Sequence, residues 1–105
     1  MTTVSVIYPR GEGATFDFDY YEKTHLPLVQ KKWGHKLTGA KALRGTSATD
    51  GSDSPFLAIA LLSFPSSGAM NAAMSGEGAA EILGDIRNFT NVKPIVQINE
   101  PIGGG

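Results

Sequence analysis

The chain has 105 residues, of which 41% are hydrophobic, and its net charge is −1. This length and composition predict a single domain over residues 1–105 with one modest core. With no basic run, no cysteine, no signal-peptide pattern and no long apolar segment, the sequence argues against nucleic-acid and membrane partners, disulfides and thiolate chemistry. We therefore expect a cytoplasmic protein.

The first predicted elements are a strand and an aromatic helix. The strand covers Thr3–Tyr8, which is β-branched and aromatic, and turn residues 9–14 end it. The stretch 15–34 then holds the only Trp, two of the three Tyr and one of the two His. Phe18, Tyr21 and His25 recur there at helical spacing, so the stretch predicts a helix.

A proline interrupts this predicted helix. Pro27 cannot donate a hydrogen bond to the carbonyl of Lys23, and it biases Leu26 away from helical angles. We expect a kink or break near Leu26, with Pro27 opening a second short helix that Gly34 ends. His25 would then lie at a helix C-terminus, which favours the imidazolium.

Three more strands and an interrupted helix complete the prediction. An edge strand is predicted over 35–46, a polar loop over 47–55 and an apolar strand over Phe56–Phe64. A helix follows, capped at 65–67, with the two segments Ala69–Met74 and Ala79–Leu83. A connector over 84–91 leads to the last strand, Val92–Glu100. Pro94 favours an edge position for the last strand. Residues 101–105 are predicted to form a flexible tail.

The order βαββαβ predicts an α+β fold of the ferredoxin-like type, with a four-stranded antiparallel sheet and two helices on one face. The strand Phe56–Phe64 is apolar on both faces, although the helices cover only one. We expect a second copy to cover the other face, giving a homodimer with the sheets face to face. The alternative is a monomer that tolerates an apolar face or covers it with its tail.

Several short runs resemble the EthD family, which is named for ethyl tert-butyl ether degradation. They are Tyr8-Pro9, Asp19-Tyr20-Tyr21, His25-Leu26-Pro27-Leu28, Asn88-Phe89-Thr90-Asn91 and Gln97-Ile98, so the resemblance covers essentially the whole chain. It implies a dimeric α+β barrel formed by two ferredoxin-like chains. The wider fold includes small-lactone isomerases, cofactor-free monooxygenases and haem enzymes, an analogy at the level of fold.

His25 is the candidate catalytic residue. It would act as a general acid or base facing a pocket, with Tyr21 one turn away as hydrogen-bond partner or second acid, and Tyr8 in the same pocket. The alternative is that His25 bonds a carbonyl freed by Pro27 and only pins the kink. Because Tyr20 and Tyr21 are adjacent, only one of them is expected to face the pocket, and Tyr21 shares the face of His25.

Other residues have both a structural and a functional interpretation. Phe18 and Trp33 are candidate ligand-binding residues that wall an apolar pocket, although aromatics at helical spacing are more often core. Asp17 and Asp19 suit helix capping better than a catalytic pair. We expect no metal site, because His25 and His35 lack ligand spacing.

Together these features predict a small catabolic protein that binds a small apolar molecule between its first helix and the sheet. It would act by His-assisted proton transfer or cofactor-free oxidation, as an isomerase or oxidoreductase. We expect no cofactor, and a haem with His25 as axial ligand is the alternative. The alternative functions are a non-catalytic binding or accessory protein of a degradation pathway, and a structural dimer module with a filled core.

Overall fold

The architecture is an antiparallel sheet with helices, taken from a computed structural model that describes residues 1–103. Its elements are β1 (Thr2–Pro9), α1 (Phe18–Tyr20), a π-helical turn (Tyr21–His25), α2 (Leu26–Trp33), β2 (Gly39–Arg44), β3 (Phe56–Phe64), α3 (Ser67–Met74), α4 (Glu77–Asp85) and β4 (Ile95–Asn99). Short 3-10 turns cover Gly34–Lys36 and Ile86–Asn88. The end of the predicted tail, at residues 104–105, lies outside the described residues.

The sheet has the strand order β2-β3-β1-β4, and all its pairings are antiparallel. This topology confirms the predicted ferredoxin-like fold. β2 is shorter than predicted because Gly34–Lys36 continue the preceding helix as a 3-10 turn. β4 begins only after Pro94, which has no N–H for a ladder hydrogen bond. Both short strands lie at the edges of the sheet, as predicted.

The core lies between one face of the sheet and the helices. On the sheet side its buried residues are Val4, Leu62 and Phe64, and on the helix side they are Val29, Trp33, Met70, Ala73, Ala79 and Ile82. Phe64 and Ala73 have no exposed surface. The two predicted helices, each now in two segments, therefore cover the same face of the sheet.

The first helical stretch is not broken at Leu26, so the predicted break is wrong, although the helix is irregular just before that residue. Leu26 has helical angles, φ −61° and ψ −42°, and its N–H bonds the carbonyl of Tyr21, five residues earlier. This π-helical spacing lets the chain remain helical up to Pro27, which is the second residue of α2. His25 therefore lies inside a continuous helical run, and the expected helix C-terminus beside it does not exist.

The second helical stretch extends further than predicted. α4 continues through Gly84 to Asp85, where the sequence had favoured a connector. A single helical glycine costs only about 1 kcal/mol, and the apolar residues Ala79, Ile82 and Ile86 keep the helical period across it. The extension matters for the site because it places the Asp85 carboxylate against the first helical stretch.

The predicted helix caps are confirmed. The side chain of Asp17 accepts a hydrogen bond from the N–H of Tyr20, and that of Ser66 accepts one from the N–H of Ala69. Asp19 forms an exposed ion pair with Lys23 at 3.8 Å. Asp17 therefore acts as a cap rather than as half of a carboxylate pair.

All the helices of the described chain are short. α4 has nine residues, and α2 and α3 have eight each. A membrane-spanning helix needs about 20 apolar residues. Within residues 1–103, no helix is long and apolar enough to cross a membrane.

Candidate functional site

The central contact of the site joins His25 to Asp85. Nδ1 of His25 lies 2.9 Å from Oδ2 of Asp85, and the residues are 60 positions apart in the chain. The His25 side chain is 5% exposed and the Asp85 side chain 12% exposed. A nearly buried imidazole is thus paired with a nearly buried carboxylate at the point where the π-helical turn meets the end of α4.

Two further residues hold the Asp85 carboxylate. The Tyr20 hydroxyl donates to Oδ1 at 2.6 Å, and the side-chain amide of Asn88 donates to the same oxygen at 2.9 Å. Burial disfavours the charged carboxylate, but the hydrogen bonds from Tyr20, Asn88 and His25 outweigh it and hold the pKa of Asp85 below its usual range. The same Tyr20–Asp85 hydrogen bond raises the pKa of the Tyr20 hydroxyl.

The ionised carboxylate fixes the role of each ring nitrogen of His25. An ionised carboxylate only accepts hydrogen bonds, so Nδ1 of His25 must donate to Asp85. Nε2 is then the nitrogen with a lone pair that can accept a proton, and no residue within 1–103 forms a side-chain hydrogen bond with it. This arrangement matches the base and orienting carboxylate of known catalytic dyads and triads.

Aromatic rings also pack against His25. The Tyr21 ring stacks on the imidazole with centroids 5.4 Å apart and planes 20° apart, and the Phe89 ring lies 4.6 Å away. Tyr8 contacts both Tyr21 and Phe89 edge to face. Burial raises the pKa of Tyr21 to about 12 and raises that of Tyr8 further, so both hydroxyls stay protonated at neutral pH.

A small cavity adjoins this cluster between the first helical stretch, the sheet and α4. We call it the inner cavity; its volume is about 60 Å³. Its lining includes Tyr8, Tyr21, His25, Leu26 and Trp33, and most of the remaining wall is aliphatic. At roughly 30 Å³ for each water of liquid volume, it has room for only one or two waters.

An unpaired polar group also belongs to a residue of this lining. Trp33 is 3% exposed, and its indole N–H has no hydrogen-bond partner within residues 1–103. Most buried donors are paired, because an unmade hydrogen bond costs about 1–3 kcal/mol. The indole nitrogen has almost no accessible surface, so the N–H is enclosed by protein atoms even though other atoms of Trp33 line the cavity.

Two larger depressions lie next to the inner cavity on the β2 side. The groove, of about 300 Å³, is lined by residues that include Phe18, Tyr21, Leu26 and Arg44. The side pocket, of about 150 Å³, runs along α2 and β2 and also includes Leu26. The groove has the volume of a small-molecule pocket, for which about 300–1,000 Å³ is typical.

The structure brings together most of the residues singled out from the sequence. Tyr8, Tyr21, His25 and Trp33 line the inner cavity, whereas Phe18 lines the groove with the Arg44 guanidinium 4.0 Å above its ring. Tyr21 lines the inner cavity, and Tyr20 does not.

Asp85, Tyr20 and Asn88 were not anticipated as partners of His25. Asp85 was assigned to a connector, and the apolar period that carries α4 past Gly84 was the signal that could have placed it on a helix. Nothing in the local sequence indicates that the end of this helix meets the π-helical turn 60 residues earlier.

The surroundings of the two histidines bear on metal and haem binding. Within residues 1–103, no three His, Asp or Glu side chains are grouped so as to hold a metal ion. His35 is exposed on the 3-10 turn after α2, away from the partners of His25. A haem does not fit beside His25 in this conformation, because the inner cavity has room for only a few atoms.

The sequence matches the EthD domain family over residues 10–93. The chain is 34% identical to an EthD-like protein from Ralstonia eutropha JMP134, whose crystal structure superposes with a TM-score of 0.86 over 99% of this chain and 94% of that one. No curated protein matches the sequence.

Two less similar structures share the fold. An ethyl tert-butyl ether degradation (EthD) family protein from Bacillus halodurans C-125 is 24% identical, with a TM-score of 0.79 over 97% of this chain and 99% of that one. A DABB family protein with a ferredoxin-like fold, from Mesorhizobium loti MAFF303099, is 15% identical, with a TM-score of 0.62 over 97% of this chain and 98% of that one. At these identities the likeness shows the fold alone.

The lowered pKa of Asp85 has a consequence for stability. A carboxylate whose pKa is lower in the folded than in the unfolded state stabilises the protein above its unfolded pKa of about 3.9, and this contribution is lost as pH falls through the folded pKa. Asp85→Asn removes the charge and keeps the shape. We expect the variant to be less stable than the wild type at pH 6 and the gap to shrink towards pH 3, measured by urea denaturation. A gap that is constant with pH would contradict the ionised carboxylate.

Proposed function

Because this chain belongs to the EthD family, we propose that it is a small catabolic enzyme that binds an apolar molecule between its first helical stretch and the sheet. The reaction begins with removal of a proton from the bound molecule by His25. The observation that carries this proposal is the buried pair of His25 and Asp85 beside an apolar cavity. A buried dyad in a cleft is the arrangement expected of a general base.

In this reaction Nε2 of His25 is the base. It takes a proton from a carbon next to a carbonyl group, and the C–H electron pair moves into the carbonyl to form an enolate. The Asp85 carboxylate stabilises the imidazolium that results, because it accepts the hydrogen bond from Nδ1. A positioned general base of this kind contributes roughly 10²–10⁴-fold to a rate.

The protonated Tyr21 is suited to the developing negative charge. Its pKa of about 12 keeps the hydroxyl protonated at neutral pH, so it can donate a hydrogen bond to the enolate oxygen. Its ring is held by stacking on His25, which keeps base and donor on the same wall of the cavity. Tyr21 therefore serves as a donor rather than as a second base.

Two outcomes follow from the same enolate. If the imidazolium returns the proton to a different carbon, the net reaction is an isomerisation. If dioxygen oxidises the enolate of a CH₂ group, one oxygen atom becomes a new carbonyl and the other leaves as water, with both carbon-bound hydrogens. Neither route needs a cofactor.

The second candidate is a non-catalytic protein that binds an apolar metabolite in a degradation pathway. What favours it is the aliphatic character of the inner cavity and the ligand-sized volume of the groove. In that case His25 orients the ligand through a hydrogen bond and no proton leaves carbon.

We also propose that the protein is a homodimer that buries the face of the sheet away from the helices. On that face the cross-strand register aligns Leu43, Ile59, Ile7 and Ile95 in one row across all four strands. The side chains of Leu43 and Ile95, at the two ends of the row, are 47% and 53% exposed. A second copy would bury this row against its own.

Deuterium exchange tests the proton-transfer proposal without knowledge of the natural substrate. The purified protein in D₂O is incubated with a panel of apolar ketones and lactones, and mass spectrometry follows deuterium uptake at carbon. We expect the wild type to accelerate uptake into at least one member. His25→Gln should slow this uptake by about 10²–10⁴-fold because the base is lost.

The second histidine supplies the control for this experiment. His35→Gln removes an exposed imidazole outside the site and should leave the exchange rate unchanged. If wild type and His25→Gln exchange equally, proton transfer by His25 is wrong. Binding by both proteins without exchange would favour the non-catalytic candidate.

A matched pair of substitutions tests the dimer. Ile95 on the open face and Leu83 on the helical side are 53% and 50% exposed, so a charge at either costs the isolated fold a similar amount. We expect native mass spectrometry to give a dimer for the wild type and for Leu83→Glu, and a monomer for Ile95→Glu. A monomeric wild type at micromolar concentration would contradict the proposal.

A further inference from the structure

Leu26 lies between the depressions of the site, and neither proposed function assigns it a role. It belongs to the walls of the groove, the side pocket and the inner cavity alike. It is partly buried and packs against the aromatic cluster of Tyr8, Tyr21 and Phe89. Leu26 therefore stands where the open groove meets the cavity that His25 lines.

The volumes on the two sides of Leu26 are unequal. The groove has about 300 Å³ and the inner cavity about 60 Å³. A cavity of roughly 150 Å³ is known to hold benzene, so the inner cavity is too small for an aromatic ring. A ring-bearing molecule fits in the groove, and only a slim part of it can reach His25.

We propose, as a step that rests on the proposed function, that Leu26 is the specificity-determining residue of the site. Its side chain sets the width of the part of a ligand that passes from the groove to His25. The ligand class is then an apolar body joined to a slim tip.

The polar groups of the inner cavity add one more feature to the ligand. Tyr21 lines this cavity, and burial keeps its hydroxyl protonated at neutral pH. A protonated hydroxyl on a residue that lines an otherwise apolar cavity favours an acceptor oxygen in the tip, because it can donate a hydrogen bond there. A carbonyl next to a small alkyl group meets both requirements.

A series of phenyl ketones with tips of increasing width tests this proposal. Acetophenone carries a methyl tip, isobutyrophenone an isopropyl tip and pivalophenone a tert-butyl tip. The readout is the ring-proton resonance of His25 in NMR spectra, assigned by its loss in His25→Gln. The chain has only two histidines, so the exposed His35 serves as an internal reference.

For the wild type we expect acetophenone to shift the His25 resonance and pivalophenone to leave it unchanged. In Leu26→Ala, which joins the groove to the inner cavity, pivalophenone should shift it at least as strongly as acetophenone does. Leu26→Phe, which narrows the passage, should weaken the response to acetophenone about tenfold or more. Leu28→Ala is the matched control, because Leu28 is a partly buried leucine of the same helix that lines neither the groove, the side pocket nor the inner cavity.

Several results would contradict the proposal that Leu26 determines specificity. They are the same ketone preference in wild type and Leu26→Ala, an equal broadening in Leu28→Ala, and no response of His25 to any ketone in any variant. If Leu26→Ala does not fold, Leu26→Phe provides the test. Loss of its acetophenone response supports the proposal, and an unchanged response contradicts it. If the His25 resonance responds according to tip width but no deuterium exchange occurs, the role of Leu26 is supported and the catalytic proposal is refuted. Failure of the specificity proposal and failure of the catalytic proposal are therefore distinguishable.

Discussion

The ionised Asp85 is the constraint on which the rest of the site depends. A nearly buried carboxylate is costly to desolvate, and here Tyr20, His25 and Asn88 supply the hydrogen bonds that offset this cost. Because two of these donors lie on the first helical stretch, the carboxylate also ties that stretch to the end of α4. The orientation of the His25 ring follows from this junction.

The local backbone serves the same junction. The π-helical turn at Tyr21–His25 carries the chain to Pro27 without a break, so the rings of Tyr21 and His25 stack and face the sheet together. π-helical turns inside α-helices often occur at functional sites, where an extra residue redirects side chains. The protein thus joins an irregular helix, a buried acid and an apolar cavity in one small region.

The sequence predicted the fold well and the site in part. The apolar run at β3 and the alternation in β1 reflect burial, which the local sequence pattern encodes directly. The order of these elements along the chain then indicated the ferredoxin-like fold. His25, Tyr8 and Tyr21 line one cavity, which helical spacing and a strand end had indicated, and their roles stay a prediction. The partner of His25 was missed because the Asp85 contact is purely tertiary, and the predicted break was wrong because a π-helical turn carries the chain to Pro27.

The most direct test of this account is the tautomer of His25, read from nitrogen chemical shifts of ¹⁵N-labelled histidine. The spectrum is recorded at about pH 9, well above the ordinary imidazole pKa of about 6.5, with the exposed His35 as reference. The account requires Nδ1 to carry the proton and Nε2 to be bare, because the Asp85 carboxylate can only accept. A proton on Nε2 with Nδ1 bare would contradict it, since Asp85 would then face a nitrogen that cannot donate.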